Sequence, residues 1–447
     1  MLKRIMTNRP VVIVAIALGC LSVGTVQRVP AGEAETTEER QPAQQWKKHV
    51  VRRLNQGAAD TEIVAQGQIF TESWNRVTVS PQLVYLPEKK QIIMVLSCDY
   101  DALMFQPGMI DKSMLHHAMV LYSDDEGATW TDPVYLHTDA DGKPDCGLGL
   151  ALTYLGDGKL ILYSHRPNRR WFSSDYGKTW GDPVPTDPAP NGKKWNAWHP
   201  ALVDKDPKTG QVTRVMEFGY SGAASGTAGL SQTHSQAYVR SSTDEGRTWS
   251  DPITVPEWFG TDEVCPVRAR NGNIVATCRT DPPPEYREYD FDHFEGLGVS
   301  ISKDNGTTWS KVKMLYDWGR HHASTVLMPN GDIVVSYVVR LGYADTDEGY
   351  PQFGIEAIVS RDHGETWDMD HRYILASWVG NQKTSSSPAG KLKSGGWQAG
   401  PHTTSSILLP GGSILTAYGT YYRQQEKGYE PFYGPRDTGL VKWSIDQ

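Results

Sequence analysis

The octapeptide SSDYGKTW (Ser173–Trp180) decides the fold, because its pattern Ser-x-Asp-x-Gly-x-Thr-Trp occurs five times. The other copies are SDDEGATW (123–130), STDEGRTW (242–249), SKDNGTTW (302–309) and SRDHGETW (360–367). Successive tryptophans lie 50, 69, 60 and 58 residues apart. Periods of that size belong to propellers or solenoids. The residue types describe a tight hairpin: the aspartate accepts hydrogen bonds from the turn, the glycine takes positive φ, and the tryptophan packs inward.

Each octapeptide closes a longer unit. An apolar strand is followed by Asp-Gly or Asn-Gly and a second apolar strand, as in ALTYLGDGKLILYSH (151–165), VRARNGNIVATCR (267–279) and STVLMPNGDIVVSYVVR (324–340). These dipeptides between apolar runs are strong hairpin signals. A third strand leads into the octapeptide and a fourth follows its tryptophan, giving the four-stranded antiparallel meander of a propeller blade. First strands begin near Arg76, Gly147, Trp198, Glu263, His322 and His402. The fold predicted is therefore all-β, a six-bladed β-propeller over 61–447. The sixth unit (405–423) lacks the octapeptide, and an N-terminal strand near EIVAQGQIF (62–70) is placed to complete it and close the ring.

The N-terminus reads as an export signal. Lys3, Arg4 and Arg9 precede an apolar stretch, Val11 to Val23, too short for a comfortable membrane span. Cys20 ends Ala-Leu-Gly-Cys, a lipobox-like sequence with Ala17 where a larger aliphatic residue is usual. Residues 1–27 are read as a signal peptide or lipoprotein leader, and 28–60 as a polar linker. The expected location is periplasmic, secreted or membrane-anchored through Cys20. Export permits disulfides. Cys265 and Cys278 lie on neighbouring predicted strands, so a bridge and two buried thiols both stay open. No spacing suggests structural zinc. A formal net charge of -8 implies no basic face for nucleic acid. The chain holds 15 Trp and 21 Tyr, which serve blade packing and sugar binding alike.

The five octapeptides resemble the Asp-box repeats of sialidases and their wider superfamily, over roughly residues 62–447. The resemblance implies a glycoside hydrolase, with exo-α-sialidase releasing a terminal acidic sugar as the best single label. Related propellers cleave other glycosides, act as lyases, or only bind. It places the site on the axis, away from the Asp boxes. A sialidase grips the substrate carboxylate with arginines, donates a proton from a carboxylic acid, and uses a tyrosine nucleophile with a glutamate base. Glu263 and Arg279 match the glutamate and one arginine in order and spacing. Arg76 matches the first arginine without the usual following proline. Arg340 is the third, with Arg320 as the other candidate. The acid is expected from SCDYDALMF, where Asp101 is favoured over Asp99 and over Asp111 further on. The chain departs from the pattern at the nucleophile: Thr404 or a neighbour stands where sialidases carry tyrosine, and Tyr418, Tyr421 and Tyr422 lie beyond the second strand.

Histidines open three first strands, at His199, at His321 and His322, and at His402. Equivalent positions converge on the axis, so His199, His322 and His402 are placed to face one pocket with Arg76 and Glu263. Such a set suits acid–base work on an acidic sugar, or a metal. No cofactor is required by any motif. A glycan substrate and a monomer are expected.

Overall fold

The computed structural model describes residues 46–74, 77–99, 117–165, 167–181, 183–222, 234–286, 292–380, 402–422 and 436–445. The leader, Arg76, Asp101 and Asp111 lie outside them, as does the side chain of Asp99.

Every Asp box folds by the same bonds. In the first, Ser123 Oγ donates to Asp125 Oδ1 at 2.9 Å and accepts from the Gly127 N–H at 2.8 Å. Asp125 also accepts from the Thr129 N–H at 2.8 Å and from its hydroxyl at 2.6 Å. The other four copies repeat this set. Both the residue before the glycine and the glycine have positive φ, 66° and 83° at Tyr176 and Gly177. The hydrogen bond from Thr308, more than any other cause, holds the Asp304 carboxyl down at about 2. The Asp-box aspartates are thus turn-formers occupied with their own loop.

The strands form all-β antiparallel meanders. The first comprises Val77–Leu86, Gln91–Asp99, His117–Ser123 and Val134–Tyr135. The second comprises Leu148–Gly156, Lys159–His165, Arg169–Ser173 and Val184–Pro185. In the third, Asn196–Ala197 and Leu202–Lys205 together pair with Val212–Ser221, followed by Gln236–Ser242 and Ile253–Phe259. The fourth comprises Thr261–Arg268, Ile274–Thr280, Gly296–Ser302 and Lys313–Tyr316. The fifth comprises Arg320–Leu327, Ile333–Val339, Gln352–Ser360 and Tyr373–Val379. The sixth comprises Thr404–Leu408, Ile414–Tyr422 and Arg436–Trp443.

The sixth meander takes its outer strand from the N-terminal side of the chain, as the sequence predicts: Thr61–Ile69 pairs with Arg436–Trp443. The stretch read as linker also contains a strand. Lys47–Arg53 pairs with Thr61–Ile69 on one edge and with Tyr373–Val379 on the other. This hairpin joins the fifth meander to the sixth.

The second strand of each meander is apolar on both faces because both faces are covered. Alternate side chains point opposite ways. Ile93 and Val95 enter a cluster with Leu152, Leu162 and Trp171 of the second meander. Ile92, Met94 and Leu96 enter one with Leu415, Ala417 and Leu440 of the sixth. The same packing joins second to third, third to fourth, fourth to fifth and fifth to sixth. The four described cysteines, Cys98, Cys146, Cys265 and Cys278, are buried thiols, none of them in a disulfide.

Each Asp-box glycine sits against the neighbouring meander. A Cβ on Gly177 would stand 2.4 Å from Ile93, on Gly246 2.4 Å from Ile161, on Gly306 2.4 Å from Met216, and on Gly364 2.7 Å from Val275. Gly127 lies likewise against Leu415 of the sixth. Gly192 has a similar φ of 74° with nothing within 4 Å. Gly192→Ala is therefore expected to cost about 1–2 kcal/mol, the penalty of left-handed backbone alone. Gly177→Ala is expected to cost about 1–3 kcal/mol more, from overpacking. Chemical denaturation of both variants measures the difference, and equal losses would show that the seat against Ile93 contributes nothing.

Candidate functional site

The site grows from a repeated defect in the first strands. In the fourth meander Asp262 pairs with Arg279 and Cys265 with Thr277, so two residues face one. This is a β-bulge. The same shift falls between Val79 and Gln82, Leu150 and Thr153, and His321 and Ser324. The first bulged residue has positive φ each time: Ser80 52°, Ala151 51°, Glu263 45° and His322 49°. Positive φ is uncommon outside glycine and marks a locally constrained backbone. The fourth and fifth meanders put a carboxylate and an imidazole into this one slot.

Those two side chains meet. His322 Nδ1 contacts Glu263 Oε2, and both residues are buried. The other Glu263 oxygen, Oε1, lies 3.1 Å from Arg279 Nη2. Arg279 is 5% exposed and is held on every side. Its Nε and Nη2 donate to the two oxygens of Asp262 at 2.6 and 2.8 Å, and Nη1 lies 3.0 Å from Glu295 Oε2. These three carboxylates keep the guanidinium charged despite burial, which alone would favour the neutral form. Tyr220 stands near the cluster: burial, then Glu263 and Asp262, push its phenol far above the usual range.

Histidines from the other meanders complete the wall. The His322 ring lies 6.2 Å from the His402 ring at 19°, and Trp198 packs 5.6 Å from His322 and 6.3 Å from His402. Thr404 Oγ1 donates to the His322 carbonyl at 2.8 Å, and Ser80 Oγ lies 3.4 Å from His402 Nδ1. Arg340 Nη2 donates to the His402 carbonyl at 3.0 Å. His199 lies in the wider irregularity of the third meander, between Ala197 and Leu202. It is 5% exposed, and its Nε2 is buried without a hydrogen-bond partner among the described residues. Burial first, and then the Arg279 charge, drop its pKa from 6.5 to about 3. Among the described residues, no group of three or more His, Cys, Asp or Glu side chains is placed to hold a metal ion.

The structure thus brings Glu263, Arg279, Arg340, His322 and His402 to one place, and sets His199 within the field of Arg279. It changes the role expected of Arg279, whose donors already face protein carboxylates. It removes Arg320 from the site: its Nε lies 3.4 Å from Glu356, its guanidinium stacks on Tyr316, and Glu356 also takes hydrogen bonds from Tyr337 and Tyr343. Tyr418 is a core residue stacked on Trp378. Asp262, Glu295 and Trp198 are site residues that motif matching missed. Asp262 is adjacent to Glu263 in sequence, and at the bulge both reach Arg279 Nη2.

A family model described as a BNR repeat-like domain matches residues 55–317 and 171–398. A protein of unknown function from Dyadobacter fermentans has a similar structure, with TM-score 0.54, 16% identity, and coverage of 90% of this chain and 99% of that one. The NanB sialidase of Streptococcus pneumoniae is similar at TM-score 0.53 and 13% identity, covering 83% of this chain and 69% of that one. A search of curated proteins gives no match.

The His199 shift sets a pH dependence. Unfolded His199 takes up a proton near pH 6.5, whereas folded His199 resists until about 3. The unfolded state binds more protons across that window, so acidification destabilises the fold there. His199→Gln is expected to flatten this part of the stability profile. An unchanged slope between pH 6.5 and 3 in urea titrations would show that the histidine is not buried neutral.

Proposed function

Because this chain belongs to the BNR repeat-like family, we propose that it is an exported glycoside hydrolase of the sialidase-like superfamily, its six blades closing a propeller around the Glu263–His322 pair. The packing of first meander on sixth supports the closure. The Glu263–His322 contact carries the catalytic reading. A carboxylate on Nδ1 fixes the tautomer in which Nε2 holds the lone pair. His322 Nε2 then accepts a proton from water as its oxygen attacks the anomeric carbon, and Glu263 stabilises the imidazolium. Asp101 is proposed to give its proton to the leaving oxygen.

The substrate proposed is a terminal acidic sugar, sialic acid first among those to try. Arg279 orients Glu263, which leaves Arg76 and Arg340 for the sugar carboxylate. The packing of His322, His402 and Trp198 also supports a second reading, proton abstraction from a uronic acid by a lyase.

Glu263→Gln and His322→Asn are each expected to lower kcat on a fluorogenic sialoside by about 10²–10⁴-fold, the usual contribution of acid–base catalysis. Asparagine tolerates the left-handed backbone of position 322, so the fold is kept. Full activity in either variant sinks the dyad. Unsaturated uronate absorbance from acidic polysaccharides, without sialoside hydrolysis, replaces the hydrolase with the lyase.

A further inference from the structure

Beside the buried cluster lies an open group with different chemistry. Among the described residues, the large apolar side chains left exposed include two aromatics, Phe259 at 63% and Trp318 at 37%. They hold corresponding places. Phe259 stands three residues before Asp262, and Trp318 three residues before His321, the two residues that precede the bulges of the fourth and fifth meanders. Each aromatic therefore lies where the chain crosses from an outer strand to the next first strand. A solvent-exposed ring has no role in the core, and exposing it costs free energy unless something covers it.

Phe259 has polar company. The His234 ring lies 4.6 Å from the Phe259 ring, and His234 Nδ1 lies 2.6 Å from Asp281 Oδ2. His234 and Asp281 are partly open to solvent. The loops are tied to the catalytic strand: Gly260 N–H donates to the Ser235 carbonyl, Asp281 N–H donates to the Gly260 carbonyl, each at 2.8 Å, and Ser235 Oγ donates to Asp262 Oδ2 at 3.1 Å. Asp262 in turn holds Arg279. Burial, against the His234 hydrogen bond and together with the nearby Asp262, raises the Asp281 pKa.

We propose that Phe259, His234 and Asp281 form a second sugar-binding position at the rim of the site. One sugar ring lays its C–H face on Phe259 while His234 Nε2 and Asp281 bond its hydroxyls. An aromatic ring beside a few fixed polar groups is the composition of a carbohydrate-recognition surface. Asp281 fixes the His234 ring, so its outward nitrogen is presented in one orientation. Trp318 stands across the fourth meander as the second aromatic. The occupant is the sugar beyond the bond that is cut, and this assignment rests on the glycosidase reading of the neighbouring site.

The test is binding rather than turnover. The wild type and its Phe259→Ala, His234→Gln and Glu263→Gln variants are applied to an array of neutral and acidic oligosaccharides. Isothermal titration with the best-bound oligosaccharide follows. Phe259→Ala is expected to weaken binding by roughly tenfold, the scale of one ring contact, with melting temperature unchanged because the ring is exposed. His234→Gln is expected to weaken it similarly, and Glu263→Gln to leave it in place. Unchanged affinity in Phe259→Ala, or no glycan bound by the wild type, overturns the subsite. Binding lost in Phe259→Ala but no glycoside hydrolysed by the wild type keeps the subsite and removes the hydrolase. Hydrolysis with affinity unaffected by either rim variant does the reverse.

Discussion

The fold depends on a place where a side chain must be missing. At each Asp box the turn closes through one aspartate, and its glycine lies flat on the second strand of the neighbouring meander. Two successive residues at positive φ turn the chain tightly enough to do this. In the boxes of Trp130, Trp180, Trp249 and Trp367 the tryptophan Nε1 then bonds the glycine carbonyl, at 3.0 Å for Trp180 and 2.9 Å for Trp249. Local turn chemistry thereby sets the distance between meanders. Because Gly127 contacts Leu415 of the sixth meander while Gly177 contacts Ile93 of the first, one local rule is applied around the whole array. The sixth meander has no Asp box, and the Lys47–Arg53 and Thr61–Ile69 hairpin stands in for the contact it would have made.

Regular spacing gives the bulges their meaning. A bulge adds one residue to a strand and turns a side chain away from the alternation of its neighbours. Repeated at the same register, it offers the same slot in several meanders. Ser80 and Ala151 fill it with small groups, whereas Glu263 and His322 fill it with groups that reach each other across a meander boundary. A one-residue slip in either strand would send one of them into the core. The scaffold's regularity is therefore what brings Glu263 and His322 together.

The sequence made the repeat legible because its turn chemistry is local. Asp-x-Gly-x-Thr-Trp specifies a hairpin without reference to any distant residue, and the strand at Thr61–Ile69 that pairs with Arg436–Trp443 was also legible. Lys47–Arg53 was hidden because KKHVVRR is mostly polar and is held by two ladder edges rather than by burial. Glu263, His322 and His402 were legible as strand openings at matching places, and Arg279 as the end of a second strand. Their bonding was not, since bulges leave no composition signal beyond one residue of extra length. Arg340 was preferred to Arg320 in the same unit. Arg320 lies opposite Val339, so Arg340 is offset from it by one residue and points the other way, which sends one to Glu356 and the other to the His402 carbonyl.

Arg279 is the point where fold and chemistry are joined. Three carboxylates around one buried guanidinium leave an excess of negative charge, which low-dielectric surroundings make costly. Such a cluster persists only where each charge has a bonded partner, and the Asp262 fork and the His322 contact supply these. An arginine so enclosed serves poorly as a grip for an incoming carboxylate, because its donors are used and its neighbours repel anions. It serves well to hold Glu263 still. Glu263, held by Arg279 on one oxygen, can only turn the other toward His322. The guanidinium that family resemblance assigns to the substrate is thus placed to orient Glu263 instead. Under the proposed acidic-sugar reading, the recognising charge comes from outside this cluster, on the side where Arg340 reaches His402.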